Sequence, residues 1–303
     1  MTRDFQQIEW DAAIEDDCRR IIRAAILEDL DRGYDWTTVA LVPAEALGRA
    51  AVVARCAGVV AGLPAAALVA DEMDKSLKFK PEIIEGSIVA AGQTVAILDG
   101  SVRSMLAAER LILNLLSRLS GIATLTHRYV EAVAGTNVGV YDTRKTTPGW
   151  RRLEKYAVRQ GGGHNHRMGL YDAVLIKDNH LAFARNKIAS GAVRTAREFL
   201  RQAFPGDVRA EMIVEVEADS LVQLEAMLPE GPDIVLLDNM GPEQLREAVE
   251  LRNRLAPAVQ LEASGGVNLT TIRDIAEAGI DRISIGSLTH SAPALDLGLD
   301  WLL

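Results

Sequence analysis

The chain of 303 residues carries 33 lysines and arginines against 42 aspartates and glutamates, a formal net charge of -9, with 49% hydrophobic residues. That much apolar material supports a folded core of one large or two ordinary domains and excludes disorder as the main state. The acidic balance disfavours a nucleic-acid coat or a membrane-surface role, and two cysteines, Cys18 and Cys56, supply neither a disulfide framework nor a tetrahedral metal site.

In chain order, the polar first residues lack the apolar segment of a secretory signal. No run reaches the roughly 18–20 apolar residues of a membrane span, so the expected setting is cytoplasmic. Apolar periodicity through Ile14, Cys18, Ile21, Ile22, Ala25 and Leu30 predicts a helix over 14–30. Short apolar runs at 50–57, 59–61, 83–90 and 93–98, punctuated by glycine, read as strands joined by tight turns. Residues 104–134 read as one long helical region, interrupted or kinked near Gly121.

Beyond Gly135 the rhythm changes. Predicted strands at 138–141, 173–176, 213–216, 234–237, 259–261 and 283–285 alternate with predicted helices at 150–159, 186–203, 221–228, 242–255 and 270–278. Such alternation implies an α/β fold with a parallel sheet, and this many units in so short a span favours a barrel over an open sheet. The tail at 295–303 is apolar and acidic and is expected to pack back on the first domain.

Chemistry-bearing residues follow these strands. Tyr141 leads to Asp142, Thr143, Arg144 and Lys145; Ile176 to Lys177, Asp178, Asn179 and His180. The third strand holds Glu215 and ends at Glu217, the fourth leads to Asp238 and Asn239, and the last two lead to Ser264-Gly265-Gly266 and, through Ile285, to Gly286-Ser287. In a parallel barrel the carboxyl ends of the strands meet on one face, where catalysis is built. Loops are polar in any fold, so one such residue would mean little; lysine and carboxylates abutting successive apolar runs mean more, because burying unpaired charge is costly.

Charge is also uneven. Between Asp142 and Lys177 stand eight basic residues and three acids, a net +5 against -14 for the remainder. Part of this belongs to the solvated face of the helix at 150–159. Arg144, Lys145, Arg167 and Lys177 lie outside it, and a small polyanion with carboxylate or phosphate groups accounts for them. Gly161-Gly162-Gly163 ends that helix, as a cap or a close approach. His164 and His166 lack a third metal ligand nearby, and the run His-Asn-His is read as a chance echo of a nuclease signature. Ser264-Gly265-Gly266 precedes a helix that Asn268 can cap, a place where barrels hold phosphate. No Walker A motif is present.

The ordered runs Asp142-Thr-Arg-Lys-Thr-Thr-Pro-Gly149, Leu153-Glu-Lys-Tyr-Ala-Val-Arg159, Asn165-His-Arg167, Ile176-Lys-Asp-Asn-His180, Glu215-Val-Glu217, Leu236-Leu-Asp-Asn239 and Thr289-His-Ser291, with Glu28-Asp-Leu30 and Asp35-Trp-Thr-Thr38 near the start, resemble the quinolinate phosphoribosyltransferase family. The resemblance implies an N-terminal α/β sandwich over 1–115, joined by 290–303, and an incomplete α/β barrel over 116–289. It implies a pentosyltransferase of NAD biosynthesis that joins quinolinate to phosphoribosyl pyrophosphate, releasing nicotinate mononucleotide, pyrophosphate and carbon dioxide. Thr143, Arg144, Lys145, His166, Arg167 and Lys177 would bind substrate, with Arg110 reaching in from the neighbouring subunit of a homodimer or larger homo-oligomer. Lys145 would face the phosphates. Ser264, Gly265, Gly266, Ile285, Gly286 and Ser287 would cradle the 5′-phosphate. Lys145, Lys177, Glu217 and Asp238 form the expected catalytic set, with Mg²⁺ carried by phosphoribosyl pyrophosphate near Glu217 and Asp238 rather than bound directly.

The residues add reasons of their own. A pyridine dicarboxylate needs a cationic site, and a carboxylate such as Glu217 would stabilise the electron-poor ribosyl centre left when pyrophosphate departs. Three alternatives remain at this level: the related molybdenum-transport-associated pyrophosphorylase, a Schiff-base barrel lyase using Lys177, and a non-catalytic nucleotide-binding protein.

Overall fold

The computed structural model describes residues 3–183 and 189–302. Helix α1 (Ala12–Leu30) begins where the Asp11 carboxylate accepts the amides of Ala13 and Ile14, and it buries Ile14, Cys18 and Ile22. Asp35 caps α2 (Trp36–Leu41) in the same way. There follow β1 (Leu47–Ala54), β2 (Gly58–Val59), α3 (Leu63–Met73), β3 (Lys78–Pro81), β4 (Ile88–Val89) and β5 (Thr94–Ser101). Of the strand expected at 83–90, only Ile88 and Val89 are paired, against Val59 and Gly58.

Helix α4 (Val102–Ala132) then runs for 31 residues without a break. The interruption expected at Gly121 does not occur. A side chain there would stand 2.1 Å from the carbonyl oxygen of Pro293, so this glycine admits a close-packed backbone instead of ending a helix.

The remaining elements are β6 (Gly139–Tyr141), α5 (Arg151–Gln160), β7 (Val174–Ile176), α6 (Asp178–Phe183), α7 (Ala189–Ala203), β8 (Val214–Ala218), α8 (Leu221–Met227), β9 (Ile234–Asp238), α9 (Pro242–Leu255), β10 (Gln260–Ser264), α10 (Ile272–Ala276), β11 (Arg282–Ser284), α11 (Ser287–His290) and β12 (Leu297–Trp301). The expected helix at 186–203 is observed from Ala189; its residues 186–188 lie outside the described residues.

The chain separates into two compact units, each drawn from several segments. One comprises Met1–Gln7, Arg128–Arg144 and Gly163–Gly286; the other comprises Ile8–His127, Lys145–Gly162 and Ser287–Leu303. The second unit holds a four-stranded antiparallel sheet in the order β12-β1-β5-β3. Beside it α1 and α3 pack together, tied by Arg19 and Arg23 to Glu72. Within this unit Arg118 of α4 binds the fully buried Glu154 of α5 at 2.7 Å, and Glu154 also accepts from the amide and hydroxyl of Thr147.

The first unit is a six-stranded, wholly parallel sheet in the order β6-β11-β10-β9-β8-β7. Its outermost strands, β6 and β7, do not pair with each other among the described residues, so the barrel is incomplete. Strand β8 is buried along its whole length: Val214, Val216 and Ala218 alternate with Glu215 and Glu217. One face of the strand is therefore apolar and the other carries two carboxylates.

Candidate active site

All six parallel strands end on the same side, and the residues there share one rim. Taken across the sheet, the rim carries Thr143 and Arg144 after β6, Ile285 and Gly286 after β11, Ser264, Gly265 and Gly266 at β10, Asp238 at β9, Glu217 on β8 and Lys177 after β7. The two glycine loops are thus neighbours, the two carboxylates are neighbours, and cationic side chains stand at both edges. Lys145, Ser287 and Arg110 belong to the other unit. Lys145 is exposed and its carbonyl accepts from Thr289 Oγ1 at 2.8 Å; Ser287 opens α11 with its hydroxyl buried and without a hydrogen-bond partner; Arg110 on α4 is 74% exposed.

At the β7–β8 edge, Lys177 Nζ lies 2.5 Å from Glu217 Oε2. Arg167 is buried and donates through Nη1 to the carbonyl of Ala173 at 3.0 Å. Burial lowers its pKa from the ordinary arginine value, and the nearby positive charge of Arg144 lowers it further. The Nε of Arg144 is buried without a partner. Two neighbouring guanidinium groups, one of them with an unused donor, suit carboxylates.

The loop after β10 is shaped by glycine. Gly265 has φ +91, and a side chain there would meet Asn239 Oδ1 at 2.2 Å. Asn239 donates its backbone amide to the Ser264 carbonyl and its side-chain amide to Asp238 Oδ2 at 2.7 Å, which links the β9 and β10 ends and orients the aspartate.

One pleat deeper than Glu217 lies a charged cluster. His166 Nε2 is 3.0 Å from Glu215 Oε2 and 3.5 Å from Glu262 Oε1, both residues being fully buried. The Glu215 contact is close but off the hydrogen-bonding direction, and neither Glu215 oxygen receives an aligned hydrogen bond. The buried Arg282 donates to Glu262 Oε2 at 3.1 Å, pairs with Asp4 at 3.0 Å, and lies 3.8 Å over the Tyr141 ring. Burial raises the pKa of Glu262, with Glu215 adding to the shift and His166 opposing it. Burial works against the charge on Arg282, but Glu262, Tyr141, Asp4 and Glu215 together hold its pKa above the ordinary value. Sequence reasoning named Glu215 only as a strand residue and overlooked Arg282, Asp4 and Phe5. A charged residue opening the apolar run Arg282-Ile-Ser-Ile285 was the one available signal.

Two places could attract Mg²⁺. His166, Glu215 and Glu262 have ligand atoms within 4.8 Å of one another. That cluster fits a cation poorly, because Arg282 already neutralises Glu262 and His166 Nδ1 accepts the Arg167 amide at 2.7 Å, which leaves the proton on Nε2. Glu217 and Asp238, on adjacent strands at the rim, supply two carboxylates and no enclosing cage. They fit a Mg²⁺ held mainly by substrate phosphates and waters.

Known proteins resemble the chain along nearly its whole length. Residues 122–300 match the family described as "Quinolinate phosphoribosyl transferase, C-terminal domain", and residues 35–120 match its N-terminal domain. The nicotinate-nucleotide pyrophosphorylase [carboxylating] of Mycobacterium leprae is 45% identical over 294 residues, 96% of this chain and 98% of that protein. A probable enzyme of the same description from Synechocystis is 42% identical, over 90% of this chain and 89% of its own. The solved structure of the nicotinate-nucleotide pyrophosphorylase from Francisella tularensis superposes with a TM-score of 0.87 at 35% identity, covering 99% of this chain and 100% of that one. The chain belongs to the quinolinate phosphoribosyltransferase family.

Proposed function

We propose that the chain transfers the phosphoribosyl group of phosphoribosyl pyrophosphate to quinolinate, with decarboxylation, giving nicotinate mononucleotide, pyrophosphate and carbon dioxide for NAD biosynthesis. The observation that carries this reading is the order of groups along the rim. Adjacent glycine loops after β10 and β11 suit a 5′-phosphate, adjacent carboxylates Asp238 and Glu217 suit the ribose and its diphosphate-bound metal, and Lys177, Arg144 and Arg167 suit a dicarboxylate. Glu217 stabilises positive charge at the ribosyl carbon as pyrophosphate leaves, and Asp238 holds ribose hydroxyls or metal-bound water. Asp238 and Glu217 would hold, through waters, a Mg²⁺ carried by the diphosphate, and that ion would supply neutralisation of the leaving group's charge. Once the ring nitrogen is glycosylated, its positive charge stabilises the electron pair left on the adjacent ring carbon as carbon dioxide departs, and that carbon takes a proton from water to give nicotinate mononucleotide. The cationic residues meanwhile hold the ring in place.

Lys177 paired with Glu217 is unlike the desolvated, unpaired lysine of a Schiff-base enzyme, and the same family match favours this reading over the molybdenum-associated relative. The reading includes a homodimer in which Arg110 serves the partner's site. It is supported by the exposure of Arg110 and by exposed apolar side chains on the same unit, Tyr34, Trp36, Leu41 and Leu47, of the kind subunit contacts cover. A cytoplasmic setting is supported by two free cysteines, and no helix among the described residues is long and apolar enough to cross a membrane. The test is an assay of purified protein with quinolinate, phosphoribosyl pyrophosphate and Mg²⁺. Formation of nicotinate mononucleotide with matching carbon dioxide is expected, and absence of both overturns the assignment.

A further inference from the structure

Lys145 lies in a stretch, residues 145–147, that belongs to no helix or strand, so no ladder of backbone hydrogen bonds holds it. Side chains do so instead, one residue at a time. The hydroxyl of the fully buried Thr289 donates to the Lys145 carbonyl at 2.8 Å. Arg151 Nε donates to Thr146 Oγ1 at 3.0 Å. The buried Glu154 accepts the Thr147 amide on Oε2 at 3.1 Å and the Thr147 hydroxyl on Oε1 at 2.9 Å. The outer two of these clamps meet at Arg118. Its guanidinium donates to Glu154 Oε1 at 2.7 Å, to the Thr289 carbonyl, and to the Ala292 carbonyl at 3.1 Å. One cation thus offsets one buried carboxylate, and it also fixes the residue whose hydroxyl grips Lys145. All these groups lie in one compact unit of the chain. Three of the ordered sequence runs, 142–149, 153–159 and 289–291, therefore converge on a network to which the proposed reaction assigns no part.

We propose that Thr289 and Thr147 are positioning residues that aim Lys145, joined to each other through the Arg118–Glu154 pair. The Lys145 side chain is exposed and long, and an untethered backbone would let its amine sweep a wide volume. Clamped at its own carbonyl and again at the amide two residues on, the lysine starts from a fixed point before substrate arrives. Neither threonine touches substrate in this role; each acts through the lysine. The inference rests on the proposed function, in which Lys145 meets the phosphates of phosphoribosyl pyrophosphate.

The test is a double-mutant cycle read by calorimetric titration with phosphoribosyl pyrophosphate and Mg²⁺. It is run with and without benzene-1,2-dicarboxylate, which has the two carboxylates of quinolinate but no ring nitrogen to react. Thr289→Val keeps the shape and removes the donor, and it should weaken binding about three- to tenfold. Thr289→Ser keeps the donor and should stay within about twofold of the parent. In a Lys145→Ala background, Thr289→Val should cost less than about twofold, because the lysine it aims is gone. An equal loss in both backgrounds, or no loss in the parent, overturns the proposal while leaving the role of Lys145 intact. Thr147→Val gives up the hydroxyl but keeps the amide on Glu154, so it should show the same dependence on Lys145 with a smaller loss. That variant decides if Thr289→Val does not fold. Unchanged affinity in Lys145→Ala alone would instead remove Lys145 from the phosphates, and the inference with it. A parent protein that binds no phosphoribosyl pyrophosphate in either titration overturns the proposed function itself.

Discussion

Lys177 and Glu217 close a 2.5 Å ion pair across the ends of two adjacent parallel strands, with the lysine about half exposed and the glutamate buried. The pair keeps the lysine in place before substrate arrives, and a substrate carboxylate must compete with Glu217 for it. Glu217→Gln should therefore lower kcat about a hundredfold or more while leaving quinolinate binding equal or tighter. Lys177→Ala should abolish turnover and also weaken quinolinate binding about tenfold, as loss of a charge-assisted contact does. Calorimetric titration beside turnover measurements separates the two, and weaker quinolinate binding by Glu217→Gln would refute this competition.

Arg110 gives the test of assembly. If it serves the neighbouring subunit, Arg110→Ala and Lys177→Ala should each be inactive, yet mixing them under subunit exchange should restore about a quarter of parental activity, because random hybrids contain one intact site. Mass spectrometry of the mixed sample confirms exchange; hybrids without activity would show that Arg110 does not serve the partner's site.

Arg118→Ala should destabilise the protein by about 3–5 kcal/mol, because it strands the buried carboxylate of Glu154. The same arginine donates to the carbonyls of Thr289 and Ala292, so Arg118→Lys should recover only part of the loss. Denaturant unfolding reads both.

Gly121→Ala should cost about 1–3 kcal/mol or prevent folding, since its new methyl group would collide with a backbone carbonyl. Gly191→Ala, in α7 with no neighbour within 4 Å of the new methyl group among the described residues, should instead stabilise by about 0.5–1 kcal/mol. Opposite shifts in melting temperature are the expected pattern.

Glu72 supplies a pH dependence. Hydrogen bonds from Arg23 and Arg19 lower its pKa from the ordinary value to about 2. A depressed carboxylate adds stability above its unfolded-state pKa and loses it as pH falls through the folded value. The gap between the parent and Glu72→Gln should thus be full above about pH 5 and close towards pH 2. Because the arginines are partly solvated, the gap at neutral pH should be about 1 kcal/mol or less. A gap that widened in acid would refute the assignment.

Strands such as β9 were legible as short apolar runs buried on both faces, β8 by the regular alternation of its valines with Glu215 and Glu217, and α9 because its periodicity is framed by Pro242 and a polar exit. Helix α3 left little trace. Leu63, Ala65, Ala66, Val69 and Ala70 are all buried, so no long polar face alternates with them. The cluster around His166 was hidden for another reason. Asp4, Phe5, Glu215, Glu262 and Arg282 are remote in sequence, and their meeting depends on sheet order, which local pattern does not encode. The rim residues could be named singly; only the order β6-β11-β10-β9-β8-β7 shows which are neighbours.

Strand β1 pairs on one side with β5, close by in sequence, and on the other with β12, which follows the whole parallel sheet in the chain. During synthesis β1 therefore spends the interval with an open edge, and the antiparallel sheet gains its outer strand only after the barrel residues have left the ribosome. A nascent chain stalled before Leu297 would present that edge to its neighbours on the same message.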